Sequence, residues 1–142
     1  MKNNILSLDL GKGSLGLAIS RSGMFISPLP NIHFHLLDFD ECIDLFLKAI
    51  KEEKVEHIVI GLPTYPSGDP CEMTPIVLSF IEKIKPLFPG VDIIKVDERN
   101  STLEASEMLH KNNKKSKKQK AIIDSAAAVI ILERYLRQIG QY

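Results

Sequence analysis

The sequence predicts an α/β domain in which five strands form a mixed sheet with helices on both faces. Near the start of the chain, apolar residues alternate with small or polar ones, which is typical of strands joined by hairpins. Further along, helical periodicity alternates with short buried apolar runs. Hairpins join antiparallel strands, whereas strands separated by helices favour parallel pairing, so both kinds of pairing are expected in one sheet.

The first part of the chain predicts a three-stranded antiparallel meander. Residues 5–10 and residues 14–20 alternate apolar with small or polar side chains, and a turn signal follows them. A third extended segment comes next, but Pro28 and Pro30 interrupt it. Because proline lacks the N–H group that an inner strand must donate, we expect this strand at an edge of the sheet.

The first two predicted helices each carry a start signal. Asp38, with Glu41 three residues later, predicts a capping box before an apolar stripe. Thr74 as the cap and Pro75 in the first turn predict where the second helix begins. The apolar run at residues 57–62 lies between these helices and predicts a buried strand.

The last third of the chain predicts one more strand and two more helices. Residues 91–96 form the strand, Ser101 and Glu104 form a capping box for a short helix, and residues 121–138 form the last helix. This order of elements is that of a ribonuclease-H-like fold. Since no linker divides the chain, we expect a single domain over residues 1–142.

The composition is that of an ordinary globular protein. The chain has 142 residues, of which 44% are hydrophobic and 25% charged, and no apolar run is long enough to span a membrane. Cys42 and Cys71 form neither a metal-binding spacing nor a disulfide framework, which favours a reduced, cytoplasmic protein.

The net charge of zero conceals an asymmetry. Residues 1–110 contain 10 Lys and Arg against 16 Asp and Glu, whereas residues 111–142 contain 8 against 2. Six of those eight positive charges lie in residues 111–120, the lysine stretch. Such a stretch either forms a solvated loop or attracts a polyanion. The second interpretation makes four of its residues candidate phosphate contacts: Lys114, Lys115, Lys117 and Lys118.

Three acidic residues occupy positions where a carboxylate is costly. Asp9 lies near the carboxyl end of the first strand, Glu98 closes the last strand, and Asp124 lies in the first turn of a buried helix. The helix N-terminus compensates Asp124 only in part, whereas a cation such as Mg²⁺ binds carboxylate oxygens strongly. Taken singly, each acid also has an ordinary explanation, as a turn former, a surface ion pair or a helix-terminal charge.

The segment from Gly11 to Gly16 matches the glycine pattern of dinucleotide-binding loops. That pattern must open a helix, but here the two-residue period of a strand continues through Ile19. We therefore predict a tight hairpin beside Asp9, where a phosphate backbone can approach Gly11 closely. Actin-like ATPases also begin with Asp-x-Gly before a hairpin, but they close two such domains on a nucleotide, and this chain has length for one.

Together these segments resemble the YqgF family, a Holliday-junction-resolvase-like group of pre-16S rRNA nucleases. The family's carboxylate triad falls on Asp9, Glu98 and Asp124. Lys12-Gly13-Ser14 departs from the family's usual Thr-Lys-Arg, and Asn100 replaces its usual Leu. The matching segments occur in the family's order and span nearly the whole chain: Asp9-Leu10-Gly11 with Gly16-Leu17-Ala18, Val59 to Pro63 with Gly68, Asp97-Glu98-Arg99 with Ser101-Thr102, and Asp124 to Ala128 continuing to Leu136.

The resemblance implies a metal-dependent endonuclease that hydrolyses structured nucleic acid and processes the 5′ end of pre-16S rRNA in ribosome biogenesis. It implies two Mg²⁺ or Mn²⁺ ions held by the triad. Because Asp9 lies on the central strand of the predicted sheet, we expect it to bridge the two ions. Gly11, Lys12, Arg99 and the lysine stretch would contact phosphates. We expect RNA in preference to DNA as the partner, no membrane, and a monomer or weak homodimer. The alternatives are a resolvase acting on branched DNA, a non-catalytic nucleic-acid-binding module, and a single-domain ATPase.

Overall fold

A computed structural model describes residues 1–97 and 116–142, except for the side chains of residues 116–125. Within these ranges, five strands form one sheet in the order β3-β2-β1-β4-β5. The pairs β1–β2 and β2–β3 are antiparallel, and the pairs β1–β4 and β4–β5 are parallel. The predicted mixed sheet with the proline-containing strand at its edge is therefore confirmed. The strands are β1 (Ile5–Leu10), β2 (Ser14–Ser20), β3 (Ser27–His33), β4 (His57–Leu62) and β5 (Asp92–Asp97), the last of which lies one residue later than predicted.

The described helices pack on both faces of this sheet, as predicted. One core joins the sheet to α1 and α2 and includes Leu8, Phe46 and Phe80. A second core joins the other face to α3 and includes Val59 and Ile131. Within the described ranges, none of the helices is long and apolar enough to cross a membrane. The helices are α1 (Phe39–Ala49), α2 (Met73–Ile84), which continues into a 3-10 turn (Lys85–Leu87), and α3 (Ser116–Gln138).

The central strand β1 alternates between these two cores. Leu6 and Leu8 pack into the core with α1 and α2. Ser7 points the other way and is fully buried, and its hydroxyl donates to the carbonyl oxygen of Ala128 in α3 at 2.7 Å. Since side chains two residues apart share a face of a strand, Asp9 lies on the α3 side of the sheet.

The capping box predicted for α1 is half correct. The Asp38 side chain caps the helix by accepting a hydrogen bond from the Glu41 backbone N–H at 3.1 Å. The Glu41 carboxylate does not return to Asp38, however, because it accepts from the His35 backbone N–H at 2.6 Å and meets His35 Nδ1 at 3.0 Å. The hydrogen bond from the His35 backbone lowers the pKa of the Glu41 carboxyl. The loop before α1 is thereby tied to the helix.

The predicted start of α2 is wrong, because Thr74 is not its N-cap residue. The helix begins at Met73, and the Thr74 side chain lies inside it. Its hydroxyl donates to the carbonyl oxygen of Pro63 at 2.5 Å and accepts from the Cys71 backbone N–H at 2.9 Å. Threonine here fixes the loop before the helix to the end of β4, a use of its hydroxyl that the local sequence pattern does not reveal.

The start predicted for α3 at residue 121 is also wrong, because the chain is already helical at Ser116. Lysine and glutamine are strong helix formers, so a polar segment continues the helix without any apolar periodicity to reveal it. Lys117 and Lys118 therefore belong to the helix and not to a loop. Asp124 lies more than two turns inside, beyond the range of the helix N-terminal charge expected to stabilise it. The short helix predicted after Ser101 lies outside the described residues.

The Ser7 hydrogen bond should make a measurable contribution to stability. We expect Ser7→Ala to lower the free energy of unfolding by about 1 kcal/mol in urea denaturation, because a buried bond between β1 and α3 is lost. Ser20→Ala is the matched control, since Ser20 is also fully buried but its hydroxyl has no hydrogen-bond partner among the described residues. That variant should be as stable as the parent or more so, and equal losses in both would contradict the assignment.

Candidate active site

The carboxyl ends of β1, β4 and β5 lie together at one end of the sheet, which we call the carboxyl end. The parallel registers pair Leu8 with Ile60 and Leu62 with Asp97. Asp9 lies at this end on the central strand and is half-buried. Strands are spaced about 4.8 Å apart, so the end of β5 lies about 10 Å from Asp9. Ligands of open α/β sheets bind beyond the carboxyl ends of their strands, so a functional site is expected at this end of the sheet.

The packing of α3 brings the position of Asp124 to the same end. The last turns of α3 contact Lys2, whereas Ala128 contacts Ser7, so α3 runs antiparallel to β1. Asp124 precedes Ala128 by one turn on the same helix face, about 6 Å along the axis. Asp9 follows Ser7 by about 7 Å in the same direction. The two acidic residues therefore occupy matching positions on the strand and on the helix that covers it.

The other predicted site residues lie partly or wholly outside the described structure. Among the described side chains, His, Cys, Asp and Glu form no group of three that could hold a metal ion. The complete carboxylate triad and its metal site therefore remain a prediction. Outside the description are Glu98, Arg99, Lys114 and Lys115, together with the side chains of Lys117, Lys118 and Asp124.

The glycine-rich segment after Asp9 is a hairpin, as predicted. The Gly11 backbone N–H donates to the carbonyl oxygen of Ser14 at 2.8 Å, and β2 begins there, so no helix follows the glycines. The Lys12 carbonyl oxygen accepts from the Leu37 backbone N–H at 2.7 Å, which ties the hairpin to the loop between β3 and α1. The segment that follows Asp9 is thus held by two neighbouring parts of the chain.

Lys12, a predicted phosphate contact, forms an ion pair with Glu72 at 2.5 Å. Both side chains are exposed, at 42% for Lys12 and 74% for Glu72. Exposed ion pairs contribute about 0–1 kcal/mol, so a phosphate could displace Glu72 from Lys12 at little cost. The sequence did not reveal this partner, because the two residues lie in separate loops that only the fold brings together.

The loop between β4 and α2 lies at the carboxyl end of the sheet. Thr64 and Pro70 form an isolated antiparallel bridge. Inside it, the Gly68 backbone N–H donates to the Tyr65 carbonyl oxygen at 2.8 Å, with Gly68 in a left-handed conformation at φ 92°. A cavity of about 170 Å³ separates this loop from the end of β5, which the sequence did not indicate.

Comparison with known proteins identifies the family of this chain. The sequence profile described as "RuvX: Holliday junction resolvase" matches residues 3–138. The chain belongs to this family. The resemblance predicted from its motifs is thus confirmed, and with it a nuclease class and a ribonuclease-H-like fold.

Curated relatives agree with this family membership over almost the whole chain. Three that carry the name "Putative pre-16S rRNA nuclease" come from Aster yellows witches'-broom phytoplasma, Staphylococcus epidermidis and Burkholderia ambifaria. They are 35%, 34% and 31% identical, over 96%, 98% and 97% of this chain and 91%, 99% and 91% of their own. Among solved structures, Archaeoglobus fulgidus Pelota matches 99% of this chain and 38% of its own, with 11% identity and a TM-score of 0.44.

The ion pair between Lys12 and Glu72 gives this RuvX-family chain a testable property. We expect Glu72→Gln to tighten nucleic-acid binding by a few-fold at low salt, because the Lys12 ammonium no longer has a competing carboxylate. The melting temperature should change little, since the pair is exposed. Glu82→Gln, which removes the carboxylate facing Lys85, is the matched control and should leave binding unchanged. Titration of a fluorescent RNA hairpin measures the RNA affinity of both variants. Unchanged affinity for Glu72→Gln would mean that Lys12 does not contact the nucleic acid.

Proposed function

We propose that the protein is a cytoplasmic, divalent-metal-dependent endonuclease that cleaves structured RNA and processes the 5′ end of pre-16S rRNA. The observation that carries this proposal is the position of Asp9 on the central strand, matched by Asp124 on α3 at the carboxyl end of the sheet. Family membership supports nuclease chemistry, and the names of the relatives support an rRNA precursor as substrate.

The chemistry of the donor set fits Mg²⁺ or Mn²⁺. These hard cations prefer oxygen ligands, and the triad of Asp9, Glu98 and Asp124 would supply carboxylates from two strand ends and one helix. When bound, such ions neutralise charge on the scissile phosphate and activate water as the nucleophile. Asp9 would hold the metal together with Glu98 and Asp124, because it lies at the carboxyl end of the central strand.

The remaining residues of the proposed site hold and orient the substrate. Gly11 allows the backbone of the nucleic acid to approach the hairpin, and Lys12 would exchange Glu72 for a phosphate. Lys117 precedes Asp124 by seven residues, which places both on one face of α3 about 10 Å apart. The first turns of α3 would thus lead phosphates toward the triad, with Arg99 and the other lysines of the lysine stretch adding contacts that position the strand without reading its sequence.

The description of the family favours a second candidate, a resolvase that cuts branched DNA. The same carboxylates would perform the hydrolysis, and only the shape of the substrate would differ. Cleavage of a structured RNA precursor and of a four-way DNA junction, compared side by side with Mg²⁺, Mn²⁺ or EDTA, separates the two functions.

Asp9 should be essential for cleavage. We expect Asp9→Asn to abolish Mg²⁺-dependent cleavage of the RNA precursor while the circular dichroism spectrum stays unchanged, because the amide keeps the shape but loses the anionic ligand. Asp44→Asn on the exposed surface of α1 is the control and should retain full activity. A folded Asp9→Asn protein with parental activity would overturn the proposed function.

Asp124 can be tested without measuring activity. Metal that binds only the folded state raises the melting temperature, so Mn²⁺ should stabilise the parent protein. We expect Asp124→Asn to weaken this shift while leaving the metal-free melting temperature unchanged or higher, since like charges no longer crowd the site. Glu133→Gln, further along α3, should keep the full Mn²⁺ shift. An undiminished shift in Asp124→Asn would exclude Asp124 as a ligand.

A further inference from the structure

Two adjacent leucines, Leu36 and Leu37, lie exposed at the carboxyl end of the sheet, and we call them the leucine pair. They belong to the loop between β3 and α1, and their exposed fractions are 74% and 52%. A single exposed leucine is ordinary, whereas contiguous apolar groups in solvent point to a contact surface. On either side of the pair the chain returns to the core, because Phe34 is buried and Phe39 packs against the same core. The leucine pair is therefore the part of this loop that contributes least to the fold.

The backbone of Leu37 is held in a conformation that leucine rarely adopts. Its φ is 63°, in the left-handed region, where the Cβ atom crowds the following carbonyl oxygen. Among the described residues, Asn4 is the only other non-glycine residue with a positive φ, and asparagine tolerates this region better than leucine does. Asparagine at position 37 would relieve the strain but would remove the apolar side chain. Strain of this kind clusters at sites that bind ligands.

Backbone hydrogen bonds impose this conformation. The Leu37 N–H donates to the carbonyl oxygen of Lys12 in the β1–β2 hairpin at 2.7 Å, and the Phe39 N–H donates to the Leu37 carbonyl oxygen at 3.1 Å. Earlier in the loop, the Phe34 N–H donates to the Gly13 carbonyl oxygen at 3.1 Å. The loop is thus attached to the hairpin at two points, so a ligand that binds the leucine pair would not have to order the backbone.

The hairpin places the leucine pair on the path of a strand bound at the proposed catalytic site. Lys12 follows Asp9 by three residues, so their Cα atoms are at most about 11 Å apart. Asp9 faces α3, whereas the loop leads into α1 on the opposite side of the sheet. The leucine pair therefore lies across the hairpin from Asp9 and not beside it. A strand with one phosphate at Asp9 and another at Lys12 would cross the end of the sheet and reach the pair next.

The surroundings of the leucine pair suit bases better than phosphates. The charged residues that follow it are all acidic, Asp38, Asp40 and Glu41, and they would repel a phosphate. His35, which precedes it, is paired with Glu41. Leucine is among the apolar side chains that proteins insert as wedges between stacked bases. Two leucines are much smaller than the roughly 800 Å² per partner that a stable protein interface buries, but they can cover the face of one base pair.

We propose that the leucine pair is a wedge that packs on the last base pair of a duplex in the substrate, at the point where the duplex opens into a single strand. The wedge takes the place of the first unpaired base, which leaves the stack, while Lys12 binds a phosphate nearby. This inference rests on the proposed function and adds a substrate feature to it. The cleaved bond lies within a few nucleotides of the end of a duplex.

The test follows one base of an RNA bound to a protein that does not cleave. In the Asp9→Asn background, the probe is an RNA stem with a single-stranded 5′ extension whose first unpaired base is 2-aminopurine, which fluoresces more strongly when it is unstacked. We expect saturating protein to raise this fluorescence. Adding Leu36→Ser and Leu37→Asn together should remove most of the rise and weaken binding about tenfold, because two leucines no longer bury apolar surface on the RNA. With 2-aminopurine inside the stem, the fluorescence should stay low for both proteins.

Two controls separate this effect from misfolding and from a general loss of apolar surface. Asparagine tolerates the left-handed conformation, so Leu37→Asn alone should keep or raise the melting temperature while it reduces the fluorescence rise. Leu87→Asn is the matched control, because Leu87 is 44% exposed but follows α2 at the opposite end of the sheet. It should leave both the RNA affinity and the fluorescence rise unchanged.

The outcomes separate this inference from the proposed function. Unchanged affinity and fluorescence in the double leucine variant would overturn the wedge and leave the pair as a surface for a protein partner, even if the parent protein cleaves RNA in an Asp9-dependent manner. A double variant that binds weakly but still unstacks the base at saturation would also overturn it. Conversely, loss of the rise in the double variant, with the rise intact in Leu87→Asn, would support the wedge even if no cleavage depends on Asp9.

Discussion

The close contact between β1 and α3 is the constraint on which the proposed site depends. On this face the strand presents Ser7 and its neighbour in β2 presents Ala18, both small and fully buried. The facing segment of α3 contains three consecutive alanines, residues 126–128, which are also buried. Small side chains on both sides let the backbones approach until Ser7 reaches the carbonyl oxygen of Ala128. That hydrogen bond sets the height of α3 along the strand, and hence which helix residue lies opposite Asp9.

The loops around the carboxyl end are joined to one another and to α2. The hairpin after Asp9 is bound to the β3–α1 loop through Lys12 and Leu37, and to the start of α2 through Lys12 and Glu72. The loop after β4 is bound to α2 through Thr74. A nucleic acid that displaces Glu72 from Lys12 would therefore act on three segments at once, although each single contact is weak.

Much of the fold is predictable because strand periodicity and edge prolines are local signals. The bounds of β1, β2, β4 and β5 were predicted within one residue, and the prolines of β3 correctly indicated an edge strand. The errors at the starts of α1 and α2 arise where a polar side chain has two physically reasonable partners. Thr74 could cap a helix or bind Pro63, and Glu41 could return to Asp38 or bind His35; only the tertiary contacts decide.

The candidate site likewise contains features that the sequence indicates and features that only the fold reveals. Asp9 and Asp124 could be chosen as candidates from the sequence, because a carboxylate in an apolar strand or helix needs a compensating partner, whatever the fold. The partner of Lys12 and the cavity at Thr64 were not, because both depend on loops from different parts of the chain meeting at one end of the sheet. Sequence reasoning thus finds residues that are costly in themselves, and it misses those made important by their neighbours.

The prolines of β3 have a consequence for the free protein during its synthesis and storage. A β-strand at the border of a sheet exposes N–H and C=O groups that can recruit a strand from another molecule and begin aggregation. Pro28 and Pro30 remove two N–H groups from this border, which interrupts the ladder that a foreign strand would need. The edge of the sheet formed by β3 is thereby protected against pairing with a strand of another molecule.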